Sequence, residues 1–108
     1  MPAESNEEAV KVLEPQLKKI GDDPAQAVAI PTLLHFLAAA YEGMGRHEDA
    51  AAAYTQLLKR LEASLPPGSA WIHDTMTKLA AVYHAMGRKD DEAKITAELK
   101  AMDGAGAK

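Results

Sequence analysis

Cysteine is absent from this 108-residue chain, and tryptophan and phenylalanine occur once each. Without cysteine there can be no disulfide staple, no thiolate zinc site and no cysteine nucleophile. Long apolar runs are also missing, since none approaches the roughly 18 residues that cross a bilayer. Nor is there an excess of positive charge. The formal net charge is −4, whereas phosphate neutralisation calls for clustered Lys and Arg, so nucleic acid is not an expected partner. The adjacent pairs Lys18-Lys19 and Lys59-Arg60 sit among acidic neighbours and read as solvated helix faces. The first residues, Met1-Pro2-Ala3-Glu4-Ser5-Asn6-Glu7-Glu8, are the opposite of a secretory signal. These absences together lead to the expectation of a cytoplasmic protein with no membrane partner.

Catalytic and cofactor signatures are missing as well. The chain has no glycine-rich phosphate loop and no H-E-x-x-H or comparable ligand spacing. His73 and His84 share a helix face, but 11 residues separate them, about 16 Å at 1.5 Å per residue. One metal ion does not bridge that distance. His47-Glu48-Asp49 places negative charge in the first turn of a helix, where the dipole favours it. Ser5, Ser64 and Ser69 read as caps or loop residues. The expectation is a chain that is not an enzyme, with no metal and no cofactor.

What the chain does have is helical periodicity broken by glycine and proline. Gly21-Asp22-Asp23-Pro24, Gly43-Met44-Gly45-Arg46, Leu65-Pro66-Pro67-Gly68-Ser69 and Gly87-Arg88 divide it. Five helices are predicted, near residues 6–20, 24–44, 47–64, 70–86 and 89–102. The first opens on the capping box Ser5-Asn6-Glu7-Glu8 and carries Ala9, Val12, Leu13, Leu17 and Ile20, with Pro15 expected to kink or shorten it. The second is expected to start with Asp23 as N-cap and Pro24 at its first position. Pro31 suggests a bend or a second start near Thr32. Residues 104–108 read as a flexible tail.

In the second helix Leu33, Leu34, Leu37, Tyr41 and Met44 fall within about 100° of a helical wheel. Thr32, His35, Ala39 and Glu42 occupy the other side. The same two faces return as Ile72, Met76, Leu79, Tyr83 and Met86 against Asp74, Thr77, Ala81 and His84. Aligning Tyr41 with Tyr83, an offset of 42 residues, also superposes Pro24/Pro66, Ile30/Ile72, Leu37/Leu79, Ala38/Ala80, Ala39/Ala81, Met44/Met86, Gly45/Gly87 and Arg46/Arg88. Self-similarity at such a period means stacked helical units, none of which buries its apolar face alone. It argues against a closed five-helix bundle that holds a small ligand, because such a bundle needs no equivalence between neighbouring helix pairs.

The string from Leu37 to Ala50 resembles helix A and the turn of a tetratricopeptide repeat, through Leu37, Ala38, Tyr41, Gly45 and Ala50, with Tyr54 at the helix B aromatic position. The second copy offers Leu79, Ala80, Tyr83, Gly87 and Ala93, its helix B one residue out of step. The 42-residue period and the proline-containing connection Leu65-Pro66-Pro67-Gly68 look like the kinesin light chain type. The resemblance implies an all-α, right-handed α-solenoid of antiparallel helix pairs, about two and a half repeats. It divides a single domain over residues 1–103 into a half repeat at 5–20 and repeats at 23–65 and 66–102. It also implies an interaction adaptor or scaffold that binds a protein or peptide along a concave groove of A helices. Carried over, the groove consists of Thr32, His35, Ala39, Glu42, Asp74, Thr77, Lys78, Ala81 and His84. The adjacent asparagines of kinesin light chain repeats are replaced by His35-Phe36 and Thr77-Lys78, and the carboxylate clamp of chaperone-binding relatives is missing. Neither of those two specificities carries over.

A second expectation concerns the last helix. Ile95, Leu99 and Met102 lie roughly opposite Ala93, Ala97 and Ala101 on its wheel, so only one of these faces can pack on the helix before it. An unpaired apolar strip at the end of a solenoid suggests that either the face of Ile95, Leu99 and Met102 or the alanine face forms a homo-oligomerisation surface or docks a partner, with Phe36 and Trp71 as further anchors.

Overall fold

The chain is all-helical in a computed structural model that describes residues 2–20, 23 and 25–106. The helices are α1 (Pro2–Ile20), α2 (Ile30–Gly43), α3 (His47–Ser64), α4 (Ala70–Met86) and α5 (Lys89–Gly106), with one 3-10 turn over Ala27–Ala29. Packing is sequential: α1 on α2, α2 on α3, α3 on α4 and α4 on α5. The result is a slab of 42 × 35 × 21 Å with a radius of gyration of 14.5 Å. A compact domain of about 100 residues has a radius near 13 Å, so this one is slightly elongated.

The core follows the stripes of the sequence. Leu34, Leu37 and Tyr41 of α2, and Ile72, Met76 and Leu79 of α4, are buried; Leu33, Met44, Tyr83 and Met86 pack against them. Tyr54, Leu57 and Leu61 of α3 lie between these two sets and are almost wholly enclosed. Ala38 and Ala50 are fully buried, and their small side chains let α2 and α3 come close.

Helix ends depart from the sequence reading in three places. α1 starts at Pro2, so Ser5 and Glu8 stand inside it rather than capping it. It also continues through Pro15 without being shortened. Its buried Val10 and Ile20, with Leu13 and Leu17 packed on the core, supply tertiary contacts that outweigh one lost backbone bond. The second helix starts at Ile30 instead of residue 24, with Pro31 in its first turn, where a missing N–H costs nothing. Asp23 still caps, but it caps a turn. Its Oδ1 accepts from the Ala25 amide at 3.0 Å, and its carbonyl accepts from Gln26 and Ala27 at 3.1 and 2.9 Å. Pro24 lies outside the described residues. At the other end α5 continues to Gly106, so residues 104–106, read as tail, extend the helix; 107 and 108 lie outside the described residues.

The ends of α2 and α4 explain why one hexapeptide pattern recurs. Gly45 and Gly87 take φ of 76° and 73°, the left-handed region open to glycine. The amide of Arg46 then donates to the Tyr41 carbonyl at 2.8 Å, and that of Arg88 to the Tyr83 carbonyl at 2.9 Å. Gly45 and Gly87 donate to the Glu42 and His84 carbonyls at 3.0 and 3.1 Å. Both ends are therefore Schellman caps. α3 stops at Ser64 because Leu65 precedes Pro66, whose ring pushes it to an extended φ of −116° and ψ of 154°.

The duplication continues past residue 88 without a slip. Arg46 pairs with Asp49 at 2.8 Å, and Arg88 with Asp91 at 2.5 Å. The spacing within each pair is the same, and the offset between the pairs remains 42. Leu57 and Leu99, both on the core side, keep that register as well. Ala93 therefore corresponds to Ala51 and not to Ala50, and Glu92 takes the place of Ala50. The extra residue inferred from sequence is not there.

Candidate protein-interaction surface

The residues expected to line a groove come from α2 and α4, and all nine leave at least part of their side chains open to solvent. Thr32, Ala39, Asp74, Thr77, Ala81 and His84 are exposed, while His35, Glu42 and Lys78 are half-buried. The two helices face each other electrostatically across this surface. Burial holds the His35 imidazole below its ordinary range, the Lys78 ammonium lowers it further, and the Asp74 carboxylate opposes both. A neutral His35 can donate from one ring nitrogen and accept at the other.

Most of the other polar groups are already engaged within the chain. Lys78 pairs with Asp74 at 3.4 Å, one turn away on α4. The Thr77 hydroxyl donates to the His73 carbonyl at 2.9 Å, which leaves it able to accept but not to donate. His84 Nδ1 lies 3.2 Å from the Glu92 carboxylate of α5. Glu42 accepts from the Tyr54 hydroxyl, a contact that ties α2 to α3. Burial and this carboxylate push the Tyr54 phenol well above its usual range. The polar side chains of the surface without such a partner among the described residues are Thr32 and His35. Ala39 and Ala81 add two small exposed positions where a partner backbone could approach.

A matching contact ties α1 to α2. The Tyr41 hydroxyl donates to Glu14, and burial together with this carboxylate raises the phenol to about 12, against a smaller lowering by Arg46. Sequence patterning does not show either tyrosine–glutamate pair, because the partners lie on different helices and nothing periodic links them.

Of the two faces of the last helix, the one with Ile95, Leu99 and Met102 packs inward. Ile95 is only 6% exposed and belongs to the core. Leu99 and Met102 pack against the core, as does the half-buried Trp71. The side carrying Ala93, Ala97 and Ala101 faces outward. Four of the five anchors are thus occupied inside the chain, because the larger side chains fill the space beside α4 better than alanines would. Phe36 is the exception at 54% exposed, and Val12 of α1 is equally exposed. The two share an open furrow between α1 and α2 of about 500 Å³, with Ala9, Leu13 and Ala39 beside them.

Among the described residues no three His, Cys, Asp or Glu side chains converge as metal ligands would. No helix among them is long and apolar enough to cross a membrane. Compared with protein-family models, with curated proteins and with solved structures, the chain finds no match in any of the three.

Proposed function

We propose that this chain is a protein-interaction module of the tetratricopeptide kind, a right-handed α-solenoid whose antiparallel helix pairs recur every 42 residues. It binds a protein or peptide segment across the exposed faces of α2 and α4. The observation that carries this reading is the duplicated cap, in which Tyr41, Gly45, Arg46 and Asp49 recur as Tyr83, Gly87, Arg88 and Asp91 with the same bonds. The helices that these equivalent turns end, α2 and α4, both pack on α3, and in this reading they present the same kind of face to the same partner. Ala39 and Ala81 admit the partner's backbone, and Thr32 and His35 supply hydrogen bonds that the chain does not use itself. Asp74 and Lys78 give the site an ion pair beside the Glu42 carboxylate.

Selection of a displayed random-peptide library tests this. Peptides enriched on the wild-type protein should lose at least tenfold in affinity, about 1.4 kcal/mol, for Ala39→Arg combined with Ala81→Arg. Undiminished affinity would remove α2 and α4 from the site.

Self-association is the second reading, and one observation favours it: Val12 and Phe36 are large, exposed and adjacent in the α1–α2 furrow. This moves the association surface from the last helix to the first two. A mass that rises with concentration in wild type, and stays at 11.5 kDa in Phe36→Glu, is the outcome that reading requires.

A further inference from the structure

We infer that the cleft enclosed by the C-terminal end of α3, the connection after it, α4 and α5 is a binding site for a small apolar amine. Its volume is about 330 Å³, at the lower end of the roughly 300–1,000 Å³ of ligand pockets. The lining is graded. Ile72 and Met76, both core residues, form the deepest part; Leu65 and Met102 are half-buried walls; and Glu62 and Glu98 stand exposed at the rim. Neither carboxylate makes an ion pair among the described residues. They come from different helices, α3 and α5, and the fold brings them to one opening.

Such a lining selects by chemistry. Alkyl and thioether groups accept an apolar body, and Met76 and Met102 adapt to its shape. Two unpaired carboxylates at the mouth favour a positive head that remains near water. A hard metal ion would want six or more oxygen ligands, and this cleft offers two side-chain carboxylates over an apolar floor. An anionic or neutral polar molecule would leave both charges uncompensated.

The first copy of the repeat treats the corresponding place differently. Ile20, 42 residues before Glu62, is buried, and the 3-10 turn lays Ala27 on the core. In the second copy that connection is the short Pro66-Pro67-Gly68 turn, with Pro67 and Gly68 at the edge of the cleft. The cleft therefore carries at Glu62 a rim carboxylate where the first copy has the buried Ile20. It is also separate from the α2–α4 surface, so either site can fail without the other.

Titration of 2-phenylethylamine into protein labelled at its Ile and Met methyl groups tests the inference, with 2-phenylethanol as the neutral isostere. The Ile72, Met76 and Met102 methyls should shift and saturate, with the amine binding about tenfold more tightly than the alcohol. Glu62→Gln combined with Glu98→Gln, two exposed positions that leave the core intact, should abolish that difference while the far-ultraviolet dichroism and melting curve stay unchanged. The inference fails if no saturating shift occurs, if the shifts lie at other methyls, or if the alcohol matches the amine. It also fails if the double variant retains the preference.

Discussion

The guanidinium of Arg88 lies 4.9 Å from the centre of the Tyr83 ring, five positions before it in the chain. Arg46 and Tyr41 repeat the arrangement at 4.7 Å. Each arginine also closes a Schellman cap through its amide and pairs with an aspartate three residues on. One residue type thus fixes the end of one helix and the start of the next, twice.

Gly45 and Gly87 make this turn possible, and both have open space where a Cβ would stand. Replacing either by alanine therefore incurs only the backbone penalty of a positive φ, about 1 kcal/mol. Urea unfolding should show similar losses for Gly45→Ala and Gly87→Ala and an additive loss in the double variant.

Ile95 and Ala97 stand two residues apart on α5, one in the core and one exposed. Ile95→Ala should destabilise by about 2–4 kcal/mol, whereas Ala97→Glu should stay within about 0.5 kcal/mol. Thermal melting separates the two. The reverse order would mean that α5 packs through its alanine side.

The tyrosine–glutamate pairs predict an alkaline limit to stability. An unfolded tyrosine ionises near pH 10, while folded Tyr41 holds its proton to about 12 and Tyr54 is also raised. Between these values the folded state binds more protons than the unfolded one, so stability falls as pH rises above about 10. Tyr41→Phe combined with Tyr54→Phe should show a flatter decline in urea midpoints across that range.

His35 acts at the other end of the scale. Its folded pKa lies below 6.5, so the unfolded chain binds the extra proton first. The contribution is fully present above pH 6.5 and is lost as pH falls below that value through the folded pKa. Subtracting the stability–pH curve of His35→Gln from that of wild type should leave a component that declines on acidification.

Where residues act through neighbours in the chain, the sequence was readable. The two caps were legible because Tyr, Met, Gly and Arg specify them within six positions, and the apolar stripes of α2 and α4 followed from helical spacing. The start of α2 was not legible. Asp23 bonds to nearby amides whether a turn or a helix follows, and only packing decides between them. The outward face of α5 could not be chosen either, because its wheel has two weakly apolar sides and the choice depends on the shape of α4. The register slip at Ala93 came from matching one alanine, where the Arg88–Asp91 pair carries the equivalence. On the candidate surface, sequence placed all nine residues outside the core but could not show that Glu42, Thr77 and His84 already have partners within the chain.

Whether α2 and α4 together bind a peptide is answered by amide chemical-shift mapping with a library-selected peptide. A peptide held there gives saturating shifts along Thr32, His35, Ala39, Thr77, Lys78 and Ala81, lost together in Ala39→Arg with Ala81→Arg. Shifts gathered instead on α1 around Val12, or on the outward side of α5, would contradict it.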